Sequence, residues 1–146
     1  MGIFNKDEAH TLIVGSGRLG ASLANELSDQ GKNVIVVDSD KSSFRKLSPS
    51  FGGLTVTGDA TSINVLKEAQ IEKAGVVIVV TNDDNINIMI SQMAKELFDR
   101  EKVISRLYDP DRRTVYEGFE IDLIYPAVLS VNEINRILQE KDSEER

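Results

Sequence analysis

The sequence predicts an α/β fold: one doubly wound, parallel, six-stranded sheet with helices on both faces. Three observations predict it. Short β-branched runs alternate along the chain with longer segments of helical period. The runs at 34–37 and 76–80 are continuously apolar rather than alternating, as parallel strands covered on both faces require. The first run also passes at once through a glycine-rich turn into a helical segment.

The strand candidates are residues 11–14, 33–37, 54–57, 76–80, 103–106 and 123–125. Between the first two, Leu19, Leu23 and Leu27 recur every fourth residue, a stripe expected to face the sheet, and Gly31 follows as a helix stop. Thr61 or Ser62 caps a segment that runs to Ala69. Asp83 and Asp84 open a long segment in which Ile86, Met89, Ile90, Met93 and Leu97 share one face, with Ile88 on the opposite side. Val131, Ile134, Ile137 and Leu138 form a last stripe. Ile88 and that last stripe supply apolar surface beyond what one sheet needs, either for the core or for a neighbouring subunit. Residues 1–10 read as an N-terminal extension, 11–140 as a single domain and 141–146 as a polar tail expected to fray.

Composition narrows the function. The charge of −7, from 17 basic and 24 acidic side chains, repels phosphate backbones and anionic lipid, so nucleic acid and membrane surface are poor main partners. Absence of cysteine excludes disulfides and thiol catalysis, and suits a reducing cytoplasm. The N-terminus carries Asp7 and Glu8 where a secretory signal needs an apolar run. Gly2 is followed by Lys6 where myristoylation needs Ser or Thr. The apolar run 76–80 is far too short to cross a bilayer, so no direct membrane insertion is expected.

Chemistry concentrates at the first turn, Gly15-Ser16-Gly17-Arg18-Leu19-Gly20. Gly15 permits the tight exit from the strand, Gly17 lets a pyrophosphate approach the backbone, and Gly20 lets the helix pack closely on the sheet. The helix start then offers unpaired N–H groups and partial positive charge to phosphates. Eighteen residues after Gly20, Asp38 ends the second strand, where a carboxylate accepts from ribose hydroxyls and repels a 2′-phosphate. This combination makes the fold Rossmann-type and points to an unphosphorylated-ribose adenine nucleotide. The carboxyl ends of neighbouring strands line one crevice, which brings Asp59 and the segment Thr81-Asn82-Asp83-Asp84 towards the ligand. Asp59 serves either the adenine or its own turn, with Thr61 as a cap. Asp83 and Asp84 fit helix capping better than ligation. Arg18 reaches terminal phosphates or a neighbouring subunit, and Arg106, ending the fifth strand, is a second candidate anion contact.

No catalytic constellation accompanies this site. His10, the single histidine, precedes the first strand at the wrong end of the sheet, and reads as a surface or strand-edge residue. Tyr108, Tyr116 and Tyr125 lack a lysine four residues on. There is no G-x-S-x-G, Walker lysine or metal-ligand cluster, and one helix after the last strand leaves no substrate domain. A cofactor site with nothing to react beside it reads as a sensor. The competing class is a small NAD- or S-adenosylmethionine-dependent enzyme.

Taken in order, the glycine turn, Val36-Val37-Asp38, Gly58-Asp59-Ala60-Thr61, Thr81-Asn82-Asp83-Asp84-Asn85 and Arg106-Leu107-Tyr108-Asp109-Pro110 resemble the RCK N-terminal (TrkA-N) domain family. The resemblance covers nearly the whole chain from Thr11. It implies a regulatory subunit that binds NAD(H), ATP or ADP, forms homodimers or larger rings, and gates an integral membrane potassium transporter or channel from the cytoplasmic side. It places Gly15, Gly17, Arg18 and Gly20 at the phosphates, Asp38 at the ribose and Asp59 at the adenine, with Ser16, Leu19, Ser39 and Ala60 also among the nucleotide-binding residues. Thr81 and Asn82 follow on the crevice wall, and Arg106 faces the phosphate side or an interface. The family's last helix commonly leads to a C-terminal ligand lobe. The chain ends at Arg146 without one, which fits a single-lobe protein or one piece of a longer protein.

Overall fold

The structure is a computed structural model that describes residues 8–144. Its six strands are β1 (His10–Val14), β2 (Val34–Asp38), β3 (Leu54–Thr57), β4 (Ala74–Val79), β5 (Lys102–Arg106) and β6 (Ile121–Ile124). All neighbours pair in parallel, in the order β3-β2-β1-β4-β5-β6. The helices are α1 (Arg18–Asp29), α2 (Ile63–Glu68), α3 (Asp84–Glu96) and α4 (Pro126–Glu144). Short 3-10 segments, Lys41–Lys46 and Pro110–Tyr116, stand where longer helices would otherwise cross over. Among the described residues, no helix is long and apolar enough to cross a membrane.

The alternation of strand side chains splits the core into two layers. Leu12, Val14, Ile35, Val37, Val77 and Val79 pack on one face with Leu66 of α2 and Ile90 and Ala94 of α3. Ile13, Val34, Val36 and Ile78 point to the other, where Ala24 of α1 and Phe44 of the Lys41–Lys46 turn close over them. The continuous apolar runs of β2 and β4 are explained by this: both parities are buried. The strand order reverses direction between β1 and β4, and there the carboxyl ends part to form a crevice.

Four expectations change. The α1 leucines are not its inner face. Gly20, Ala21, Ala24 and Ser28 are buried, Leu23 and Leu27 flank the core, and Leu19 is exposed. Small residues win because the helix lies too close to the strands for a leucine between them. In α3 the inner face is Asn87, Ile90, Ser91 and Ala94, while Ile86, Met89 and Leu97 are exposed. Of the two alternatives left open for Ile88, the core takes it: it is buried with Leu107 and Tyr116 beneath the Pro110–Tyr116 turn. Finally, α4 runs on through Glu144 rather than fraying at Lys141; the rest of the expected tail, and residues 1–7 of the expected extension, lie outside the described residues.

His10 is the fourth. It opens β1 and is only 3% exposed, not a surface residue. Burial pushes its imidazole below the ordinary histidine value, opposed by a hydrogen bond to the Ala69 backbone. The folded chain therefore holds this ring neutral at a pH where the unfolded chain has begun to protonate it. Stability contributed by neutral His10 is complete above about pH 6.5 and is lost as pH falls from there towards the lowered folded-state value. Unfolding free energies from urea titrations should hold steady from pH 7.5 to 6.5 and then fall by up to about 1.4 kcal/mol per pH unit towards pH 5.5. A His10→Leu variant should lose that part of the slope; an unchanged slope refutes the assignment.

Candidate nucleotide site

A cleft of about 380 Å³ opens over the carboxyl ends of β1, β2, β3 and β4. Its floor is Val14, Val37 and Val80, and its rim is Gly15, Ser16, Gly17, Asp38, Ser39, Asp59, Ala60, Thr81 and Asn82. Nine of the residues singled out in the sequence thus meet in one cavity. Arg18, Leu19 and Gly20 lie just beyond it in the first turn of α1, with Arg18 and Leu19 exposed and Gly20 buried.

The turn is built by close approach. Gly15 has φ of +106°, a region L-residues rarely enter, and a Cβ there would also stand 2.8 Å from the Val80 carbonyl oxygen. A Cβ on Gly20 would overlap the Gly15 carbonyl oxygen. Gly17 differs. Its φ is −76°, and a Cβ added there meets no protein atom within 4 Å. The volume beside its backbone is empty of protein and opens into the cleft. Gly17 is also the N-cap of α1 and supplies no side-chain cap. The helical ladder begins with the Ala21 amide donating to the Gly17 carbonyl at 2.9 Å, which leaves the amides of Arg18, Leu19 and Gly20 without an acceptor inside the helix.

Asp38 fixes the opposite wall. The Ser16 amide donates to Oδ2 and the Asp40 amide to Oδ1, each at 2.8 Å. The carboxylate thereby locks the glycine turn to the end of β2, and its oxygens keep further lone pairs open to the cleft. Asp59 has a turn role as well: its Oδ1 accepts from the Thr61 hydroxyl at 2.7 Å and amide at 2.9 Å. These bonds hold its carboxyl below the usual carboxylate range while the residue still lines the cleft.

On the β4 side, Asp83 caps α3, accepting from the Asn85 and Ile86 amides. Asp84 reaches across to accept from the Tyr108 amide at 2.8 Å and the Asp109 amide at 3.1 Å. Arg106 is 8% exposed and does not line the cleft. Its Nη2 donates to the Val80 carbonyl at 2.7 Å and the Thr81 carbonyl at 2.9 Å.

Sequence reasoning missed Asp40, Ser43, Lys46, Ile86 and Ile90 as site residues; with Gly58 they complete the lining. The first three belong to the Lys41–Lys46 turn, whose Asp40 cap, accepting from Ser42, was the available signal. It also missed Asn87. This fully buried amide accepts from the Thr81 amide and hydroxyl, and donates to the carbonyls of Thr81 and Arg106. An asparagine amid an apolar stripe was its signature.

The TrkA-N domain model matches residues 11–126. The chain belongs to the TrkA-N domain family. A Trk system potassium uptake protein TrkA from Streptomyces coelicolor is 44% identical over 115 residues, 79% of this chain and 52% of the relative. The chain therefore spans about half the length of that curated relative. Among solved structures, the GsuK channel bound to NAD superposes with a TM-score of 0.77 at 26% identity, over 94% of this chain and 24% of the channel. GsuK bound to ADP gives 0.74 at 26% identity, over 91% of this chain and 34% of that one. The chain thus shares its fold with part of GsuK, which has been solved bound to NAD and to ADP.

Proposed function

We propose that this chain is a non-enzymatic regulatory module that binds an adenine nucleotide and uses it to bias the state of a membrane potassium transporter or channel. The observation that carries the reading is the open volume beside Gly17, at an uncapped helix start and facing the Asp38 carboxylate. Phosphates held there would accept from the Gly17–Leu19 turn, with Arg18 beside them. Asp38 and Ser39 would take the ribose, and Asp59 and Ala60 the adenine. The nucleotide supplies charge and shape, and no bond in it need change.

A ligand shifts an equilibrium only by its differential affinity for two states. The second state is an assembly. Helix α4 carries Val128, Leu129, Val131, Ile134, Ile137 and Leu138, each between 44% and 59% exposed. Such a continuous apolar surface calls for a partner. We assign it to a second copy of the chain, in a homodimer or larger ring held on the cytoplasmic face through the transporter. The likeness to potassium uptake proteins and channel domains supports this arrangement.

The test pairs native mass spectrometry with thermal unfolding. Subunit number should change between nucleotide-free protein and protein with ADP, ATP or NAD. At about 100-fold over Kd, ADP should stabilise by roughly 2.7 kcal/mol. Asp38→Ala should remove most of that increment, beyond any loss in the nucleotide-free protein from releasing Ser16. Identical subunit distributions and unshifted melting with every nucleotide would refute the proposal.

A further inference from the structure

The strand order creates two nucleoside positions, one on each side of the switch between β1 and β4. The cleft occupies only the first: its lining comes from the ends of β1 to β4, the Lys41–Lys46 turn and α3, and nothing after Ile90 contributes. The second position lies over the carboxyl ends of β4 and β5, and protein fills it.

Arg106 is the filler. Its Nη2 donates to the Val80 and Thr81 carbonyls, and its guanidinium lies 4.8 Å from the centre of the Tyr108 ring. Asn87 ties the Arg106 carbonyl to Thr81 from below. Asp84 draws the Tyr108 and Asp109 amides back over the strand ends. A ligand entering here must strip the buried Val80 carbonyl of its donor, take one of two donors from the Thr81 carbonyl and expose an arginine that is now stacked, and each loss opposes binding.

We propose that Arg106 closes the second nucleoside position, so the site takes an adenosine mono- or diphosphate and gains nothing from the second half of a dinucleotide. This rests on the nucleotide reading above and narrows its ligand. The rival feature is Arg106 Nε, which is buried and meets no acceptor among the described residues. If that donor serves a phosphate, removing it weakens ADP.

The experiment titrates the full chain with AMP, ADP and NADH, following heat and nicotinamide emission. The expected result is that ADP binds, NADH binds no tighter than ADP, and bound NADH emits as it does in buffer. Arg106→Ala should leave ADP affinity unchanged, tighten NADH about tenfold relative to ADP, and raise its emission. Arg106→Gln, which keeps one donor for the carbonyls, provides a second variant should alanine unfold the domain. Wild-type NADH binding about tenfold tighter than ADP, with raised emission, overturns the inference and leaves the nucleotide reading intact. Weaker ADP binding by either folded variant also overturns it. No binding of AMP, ADP or NADH overturns the nucleotide reading itself.

Discussion

Alanine at Gly17 will abolish nucleotide binding in a protein that keeps its stability, whereas alanine at Gly20, three residues on, will severely destabilise the fold. The methyl at position 17 enters empty space from an ordinary backbone conformation. Stability should fall by no more than about 1 kcal/mol, the difference between glycine and alanine at an N-cap. That same space is where a diphosphate would lie, so the roughly 2.7 kcal/mol of stabilisation expected at 100-fold over Kd should vanish. At Gly20 the methyl meets the backbone carbonyl of Gly15, which cannot rotate aside as a side chain would. Separating α1 from the turn should cost about 3 kcal/mol or more, a fall near 10 °C in melting temperature. Thermal unfolding of both variants, with and without ADP, separates the two roles. Retained ADP stabilisation in a folded Gly17→Ala protein would remove the phosphate cradle from the argument.

This contrast marks what could be read before any coordinates. The motif G-x-G-x-x-G says that three glycines are needed, and the strand and helix around it say where. It does not say which glycine answers to the protein and which to a ligand, because that depends on what stands opposite each one: Val80 beside Gly15, Gly15 beside Gly20, and open space beside Gly17. The parallel sheet was legible because continuous β-branched runs have few other uses. Helix faces were less so. In α1 and α3 the leucines and methionines pointed to one stripe, yet the sheet took the narrower side carrying glycine, alanine, serine and asparagine. Close approach of backbones outweighed side-chain hydrophobicity there, and hydropathy has no measure of distance. The site followed the same division. Gly15, Asp38 and Asp59 stood out by position relative to strands, while Ser43 and Lys46 reach the cleft through a 3-10 turn with no periodic signature. Arg106 was legible as a strand-end cation, but its commitment to two backbone carbonyls depends on the spacing of β4 and β5.

Asn87→Leu will destabilise the domain by about 3 kcal/mol or more, even though leucine branches as asparagine does and suits a buried helix face. The reason is the polar backbone around it. Asn87 is fully buried, and its amide accepts from the Thr81 N–H at 3.0 Å and hydroxyl at 2.6 Å. It donates to the Thr81 and Arg106 carbonyls, each at 3.1 Å. Those four bonds join the end of β4, the start of α3 and the end of β5. Leucine answers none of them, and each buried backbone group left without a partner costs about 1–3 kcal/mol. Part of the loss is recovered, since the Thr81 carbonyl still accepts from Arg106. A melting temperature lower by about 10 °C is the expected measurement. Loss should extend to the ligand. Thr81 and Asn82 wall the cleft on this side, and Arg106 keeps its place only while the Val80–Thr81 carbonyls face it. The variant should therefore bind ADP more weakly, and any gain for NADH should appear here as it does when Arg106 itself is removed. A folded Asn87→Leu protein with wild-type melting would mean that water replaces the amide, and that this junction is looser than its hydrogen bonds imply.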